Sequence, residues 1–274
     1  MDRIRLIASD MDATLLDEQS QLPADFEETI HALAELGIRF APASGRPLYT
    51  LEAMFPTLQD ELVFIGDNGG AIRWKGQNLF TSEMSPEGWR ALNRLTREQG
   101  DIAVLCGLES AYVERPFAVH DAVLRHFYTK IEYVDRLEDV TAPADKFTIY
   151  LPQHNAQQAY DTVYASQRSI YSVAVAGECW VDIMNPGVHK GAALQTLGQL
   201  WGLPSESIMA FGDTYNDAEM LRTAKYGFLM ENGSEPLRQK VPFLAPSHRE
   251  AGVMQVLVLA QNGCVCPKDF IPAH

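Results

Sequence analysis

The sequence predicts an α/β protein, a doubly wound parallel sheet interrupted by an inserted α+β domain. Three observations predict it. Short apolar runs alternate with helical patterns from Ile4 to about Ser82. That rhythm gives way to closely spaced strand-like pairs, then resumes at Lys190. Finally, several of the apolar runs end in carboxylates or hydroxyls, and in such a sheet these ends gather along one edge, where ligands bind.

The first run, with Leu6-Ile7-Ala8 as a short buried strand, delivers Asp10, Asp12 and Thr14 at alternate positions. Two carboxylates this close repel each other unless a cation compensates. A small set of oxygen ligands suits Mg²⁺, and an aspartate beside such an ion can attack phosphorus. An Asp-rich turn is the ordinary alternative. Phe26, Ile30, Leu33 and Leu36 then mark a helix, with Pro23 in its first turn and Gly37 at its stop. Ile38–Ala43 is a second strand ending in Ser44-Gly45-Arg46-Pro47. An amphipathic piece, Tyr49–Phe55, leads to a third strand, Leu62–Gly66, which ends in Asp67 and a tight turn at Asn68-Gly69-Gly70.

Within the insertion, Trp89, Leu92 and Leu95 mark a helix. Strand-like runs follow at Ile102–Cys106, Ala111–Glu114, near Val134, and at Phe147–Leu151, Ile170–Val175 and Cys179–Met184, with a helix around Ala156–Tyr164. Paired strands with few long crossovers predict an antiparallel sheet. Met84-Ser85-Pro86 and Asn185-Pro186-Gly187 are the expected entry and exit. The second half of the core then follows: helix Lys190–Trp201, strand Ile208–Phe211 ending in Gly212–Asp217, helix Ala218–Ala224, strand Tyr226–Met230, a short edge strand Pro242–Ala245 and helix Val253–Leu259.

Bulk properties bound the function. The chain has 274 residues, 46% hydrophobic and 21% charged, which are globular values. A net charge of -14 argues against wrapping nucleic acid or lying on an anionic membrane. Cys106, Cys179, Cys264 and Cys266 lack a framework spacing and read as free thiols in a reducing compartment. No leader pattern and no membrane-length apolar run is present, so the expectation is a cytoplasmic protein.

Moving a phosphoryl group is mainly positioning and charge neutralisation, and the strand ends supply the parts. Asp213 can complete a Mg²⁺ site with Asp10. Ser44 and the backbone N–H of Gly45 can hold phosphate oxygens. Lys190 adds a point positive charge. Asp12 can protonate a leaving alkoxide and later deprotonate water. Taken singly, each has a structural reading: a capped helix start at Ser44, a solvated Lys190, a capping turn at Asp213–Asp217. His189 reads as a surface residue without a role.

Asp10-Met11-Asp12-Ala13-Thr14-Leu15-Leu16, Ala43-Ser44-Gly45-Arg46-Pro47, Lys190-Gly191 and Gly212-Asp213-Thr214-Tyr215-Asn216-Asp217 together resemble the four motifs of the haloacid dehalogenase superfamily. The long insertion after the third core strand resembles the Cof-type phosphatases. The resemblance covers essentially the whole chain. It implies a Rossmann-like core at 1–82 and 187–274 and an inserted cap at 83–186. It implies Asp10 as nucleophile forming an aspartyl-phosphate, and Asp12 as general acid/base. Mg²⁺ would sit on Asp10, the Asp12 backbone carbonyl and Asp213. Phosphate would be held by Met11, Ser44, Gly45, Lys190 and Asn216, with Thr14 and Asp217 in support. One position departs: Ala13 stands where the first motif usually carries Gly, which is harmless at negative φ and strained at positive φ.

The expected activity is a Mg²⁺-dependent phosphatase acting on a small phosphorylated metabolite such as a sugar phosphate. A phosphosugar mutase is the enzymatic alternative. A phospho-aspartate receiver module is the non-enzymatic one, although it needs neither Asp12 nor an insertion. The oligomeric state is not predicted.

Overall fold

A computed structural model describes residues 2–260 and 264–274. Two large sheets organise it. The first has nine strands, in the order Ile271–Pro272, Phe243–Ala245, Tyr226–Met230, Ile208–Gly212, Leu6–Asp10, Arg39–Ala43, Val63–Gly66, Ala71–Trp74 and Gln77–Thr81. The six from Phe243–Ala245 to Val63–Gly66 run parallel, and the other three add antiparallel. Alternate residues of Leu6–Asp10 enter opposite apolar layers: Ile7 one, Leu6 and Ala8 the other. Helices Phe26–Glu35, Leu48–Ala53 and Gly252–Ala260 cover the first face, and Lys190–Trp201 with Ala218–Thr223 cover the second. Burial on both faces explains why these strands read as continuous apolar runs.

The second sheet has six strands, in the order Ser172–Val175, Trp180–Met184, Ala144–Tyr150, Ile102–Gly107, Ala111–Glu114 and Ile131–Val134. It is antiparallel, as predicted, except where Ala111–Glu114 pairs parallel with Ile131–Val134. Helices Pro86–Gln99 and Ala156–Asp161 cover its far face. Ser85 caps the first of these by accepting from Gly88 N at 3.1 Å, and Gly100 ends it at φ 75°.

Four local readings change. The hairpin Ala71–Trp74/Gln77–Thr81 turns on Lys75-Gly76, both at positive φ, and extends the first sheet before the insertion begins. Phe243–Ala245 is not the edge, because Ile271–Pro272 pairs outside it. Helix Phe26–Glu35 starts after Pro23, whose carbonyl instead accepts from Phe26 N. Helix Asp121–Phe127 was not anticipated: it is short, and only Leu124 is buried in it. Of the cysteines, Cys106, Cys179 and Cys266 are free, and the Cys264 side chain lies outside the described residues.

Candidate active site

The strand ends converge on a cavity of about 1110 Å³ lying between the two sheets, with Asp10, Asp12, Ser44, Gly45, Asp213 and Asn216 in its wall. Lys190 is fully buried, at 0% exposure, because His189 turns the chain into its helix just before it. His189 is therefore not the idle surface residue expected, since its Nδ1 accepts from Ala192 N at 3.1 Å and caps the helix. The Lys190 ammonium donates to Asp10 Oδ1 and, at 2.7 Å, to Asp217 Oδ1. Burial alone would lower that ammonium, but the Asp10 and Asp217 charges outweigh it and hold it above its ordinary value.

Asp217 is the most engaged of the three carboxylates: its other oxygen accepts from Asp213 N at 3.1 Å and Thr214 N at 3.2 Å. Asp10 and Asp213 accept fewer. Thr14 Oγ1 reaches Asp213 Oδ1 at 3.3 Å, leaving open lone pairs on both carboxylates. One oxygen each from Asp10, Asp213 and Asp217 falls within 4.8 Å of the others. Burial first and Asp217 second push Asp213 up to about 7, and the same causes raise Asp10 well above its ordinary range against the pull of Lys190. Three buried carboxylates sharing one ammonium form an unbalanced set. The donors are hard oxygens, so the residues present fit Mg²⁺.

Asp12 belongs to another environment. Its carboxylate faces Arg46, which donates from Nη2 at 2.8 Å and Nε at 3.3 Å. The side chain of Asp12 remains 56% exposed. The structure thus separates the two aspartates that the sequence set side by side, giving each its own cation. The carboxylate beside Asp10 and Asp213 is that of Asp217, and the Asp12 carboxylate is not part of this cluster. Met11 packs its side chain into the apolar core and does not line the cavity.

Ala13 occupies φ 59°, the left-handed region that favours glycine, so the substitution is strained. Asn232 Nδ2 donates to its carbonyl at 2.8 Å and helps hold the turn. Asn216 is exposed at the cavity wall, its Oδ1 accepting from Thr214 Oγ1 at 2.6 Å.

A second polar group was missed in the sequence. Lys146 and Asp182 of the second sheet meet Asp67 and Asn68 of the first. Lys146 Nζ lies 3.0 Å from Asp67 Oδ1 and 3.6 Å from Asp182 Oδ2, and Asn68 Nδ2 donates to Asp182 Oδ2 at 3.0 Å. Asp145 is buried beside Asp67, and burial, then the Asp67 charge, raises its carboxyl well above the ordinary range. Both Asp145 oxygens are buried without a hydrogen-bond partner among the described residues. The available signal was Asp145-Lys146, a charged pair opening the apolar run Phe147-Thr148-Ile149-Tyr150-Leu151. For Arg46 it was the motif Ser44-Gly45-Arg46-Pro47, in which the arginine had no assigned task.

Comparison with known proteins places this geometry. The family model for haloacid dehalogenase-like hydrolase matches residues 7–257. The chain is 32% identical over 258 residues to the 5-amino-6-(5-phospho-D-ribitylamino)uracil phosphatase YbjI of Escherichia coli, covering 93% of this chain and 95% of that one. It is 31% identical to the HMP-PP phosphatase of Cronobacter sakazakii, covering 88% and 89%. The crystal structure of SMU.1108c from Streptococcus mutans superposes with a TM-score of 0.84 at 28% identity, covering 93% of this chain and 98% of that one. With the family match spanning nearly its whole length and two relatives above 30% identity, the chain is an enzyme of the haloacid dehalogenase-like hydrolase family.

Proposed function

We propose that this enzyme is a Mg²⁺-dependent phosphatase of small phosphorylated metabolites, sugar phosphates among them. The observation that carries the reading is the division of labour between Asp10 and Asp12. Asp10 is buried against Lys190 within the Asp213–Asp217 cluster, whereas Asp12 stands half-exposed at the cavity wall on Arg46. A carboxylate fixed by a buried ammonium is suited to in-line attack on phosphorus. A second carboxylate, reachable from the cavity, is suited to passing a proton to the leaving alkoxide and later taking one from water. Mg²⁺, when bound, would neutralise the phosphate and carboxylate charge at Asp10, Asp213 and the Asp12 carbonyl.

The phosphoryl group would pass to Asp10 as an aspartyl-phosphate. Ser44 Oγ, the Gly45 N–H and the Met11 backbone would hold its oxygens, with Lys190 and Asn216 beside them. Thr14 and Asp217 orient Asp213 and Lys190. Residues 83–186, as the cap domain over the core formed by 1–82 and 187–274, would keep bulk water from the intermediate until the leaving group departs. The relatives named above are phosphatases of small phosphorylated molecules, which supports the substrate class. Among the described residues no helix is long and apolar enough to cross a membrane, and the free thiols of Cys106, Cys179 and Cys266 support a reducing compartment such as the cytoplasm.

A screen of phosphorylated metabolites with Mg²⁺, reading inorganic phosphate, tests the proposal. Many turnovers per enzyme are expected. Conversion of glucose phosphates without phosphate release would instead indicate a mutase, and a single equivalent a receiver-like module.

A further inference from the structure

The loop Ser44–Arg46 has all three of its carbonyls engaged. Asn68 N donates to Ser44 O at 2.9 Å and Asp67 N donates to Arg46 O at 2.9 Å. Both donors belong to a turn held at positive φ, 50° at Asp67 and 55° at Asn68, so the core invests backbone strain in presenting them. The third carbonyl, Gly45 O, accepts from Lys146 Nζ at 2.5 Å, and Lys146 comes from the other sheet. The amide of that same Gly45–Arg46 peptide donates to Ser44 Oγ at 3.1 Å, so the peptide plane is fixed at both ends. With the carbonyls turned away, the Gly45 N–H has no acceptor among the described residues, and Ser44 Oγ keeps its own proton to donate. Both residues line the cavity.

Lys146 reaches this peptide through an irregularity. In a regular strand Asp145 and Lys146 would point to opposite faces. The pairing of Ala144–Tyr150 with Ile102–Gly107 shifts register between Ala144 and Lys146, and such a bulge re-aims side chains. Both residues are buried, and Asp67 and Asp182 flank the ammonium. The ammonium is thereby delivered as a fully desolvated donor to one backbone oxygen of the opposite sheet.

We propose that Lys146 is a positioning residue, which sets the Gly45–Arg46 peptide so that the loop presents donors to a phosphate group only when the second sheet is seated on the first. This rests on the phosphate-binding role given to Ser44 and Gly45 under the proposed function.

The test measures binding of inorganic phosphate by calorimetry with Mg²⁺ present, alongside KM and kcat for p-nitrophenyl phosphate. Lys146→Met should weaken phosphate binding and raise KM by about tenfold, the scale of one buried charge-assisted hydrogen bond, with a smaller change in kcat. Because this variant leaves Asp67 and Asp182 without their cation, Lys146→Met with Asp182→Asn provides a second folded protein with the same expectation. Asp145→Asn changes a buried neighbour of Lys146 and Asp67 without touching the loop, so it should bind phosphate as the wild type does. Unchanged phosphate affinity in the lysine variants overturns the proposal, as does an equal loss in Asp145→Asn. Wild-type phosphate binding that depends on Lys146, without turnover of any ester, upholds the positioning role and defeats the phosphatase reading. Absence of phosphate binding by the wild type defeats both.

Discussion

Arg46 clamps Asp12 through two nitrogens, at 2.8 and 3.3 Å, while its guanidinium carbon lies 5.9 Å from the centre of the Phe127 ring. The aspartate assigned to proton transfer is therefore aimed by a residue that also meets helix Asp121–Phe127 of the insertion. A half-exposed pair of this kind adds little to stability. Its value lies in geometry, since lysine cannot reproduce a planar two-point contact. Arg46→Lys should lower kcat by roughly ten- to a hundredfold, the scale of a small misplacement of a reacting group, with the melting temperature unchanged. Steady-state kinetics with a melting curve checks this; wild-type kcat would remove the aiming role.

Ala13 gives a stability prediction of opposite sign to the usual alanine-to-glycine change. At φ 59° the methyl group opposes the native conformation by ~1–2 kcal/mol, and the extra freedom of an unfolded glycine offsets part of this. Ala13→Gly should stabilise the protein by about 0.5–1 kcal/mol in urea unfolding, whereas Ala13→Val should destabilise it. Destabilisation by glycine would show that the turn is not strained.

Asp145 controls a pH dependence. Its ordinary value is 3.8, and in the folded protein it lies well above that. Between those two values the unfolded chain has released the proton and the folded chain keeps it, so this group's contribution falls as pH rises and is unpenalised below 3.8. Asp145→Asn removes the penalty. Its stability relative to wild type should be level near pH 3.5 to 4 and rise steadily as the pH is taken up to 7. Denaturant midpoints of both proteins across this range decide it, and a pH-independent difference would count against a protonated Asp145.

Asp213 is the more open carboxylate opposite Asp10, whereas Asp217 already accepts from three donors. Asp213→Ala should chiefly raise the Mg²⁺ concentration for half-maximal activity. An unchanged metal titration would refute its ligand role.

Several features were readable from residue order. Asp10, Asp12, Ser44 and Asp213 fell at strand ends because strand–helix alternation fixes which edge those ends share, and the structure brings them to one cavity, with Lys190, read at a helix start, buried against Asp10. Local sequence does not report partners, so Lys190 alone read as solvated and is fully buried. For the same reason Arg46 and Lys146 were passed over: one finds Asp12 across 34 positions and the other Gly45 across 101. Lys75-Gly76 was a readable hairpin turn, obscured by the nearby change of rhythm. The consequence of Ala13 depended on a backbone angle that composition alone does not give.

Covalent transfer to Asp10 is tested by acid quenching during steady turnover of a phosphate ester with Mg²⁺, followed by peptide mass spectrometry. A phosphoryl group is expected on Asp10 in the wild type, with loss of both adduct and turnover in Asp10→Asn. Near-normal turnover by Asp10→Asn, or a wild-type phosphoryl group carried on another residue, would contradict it.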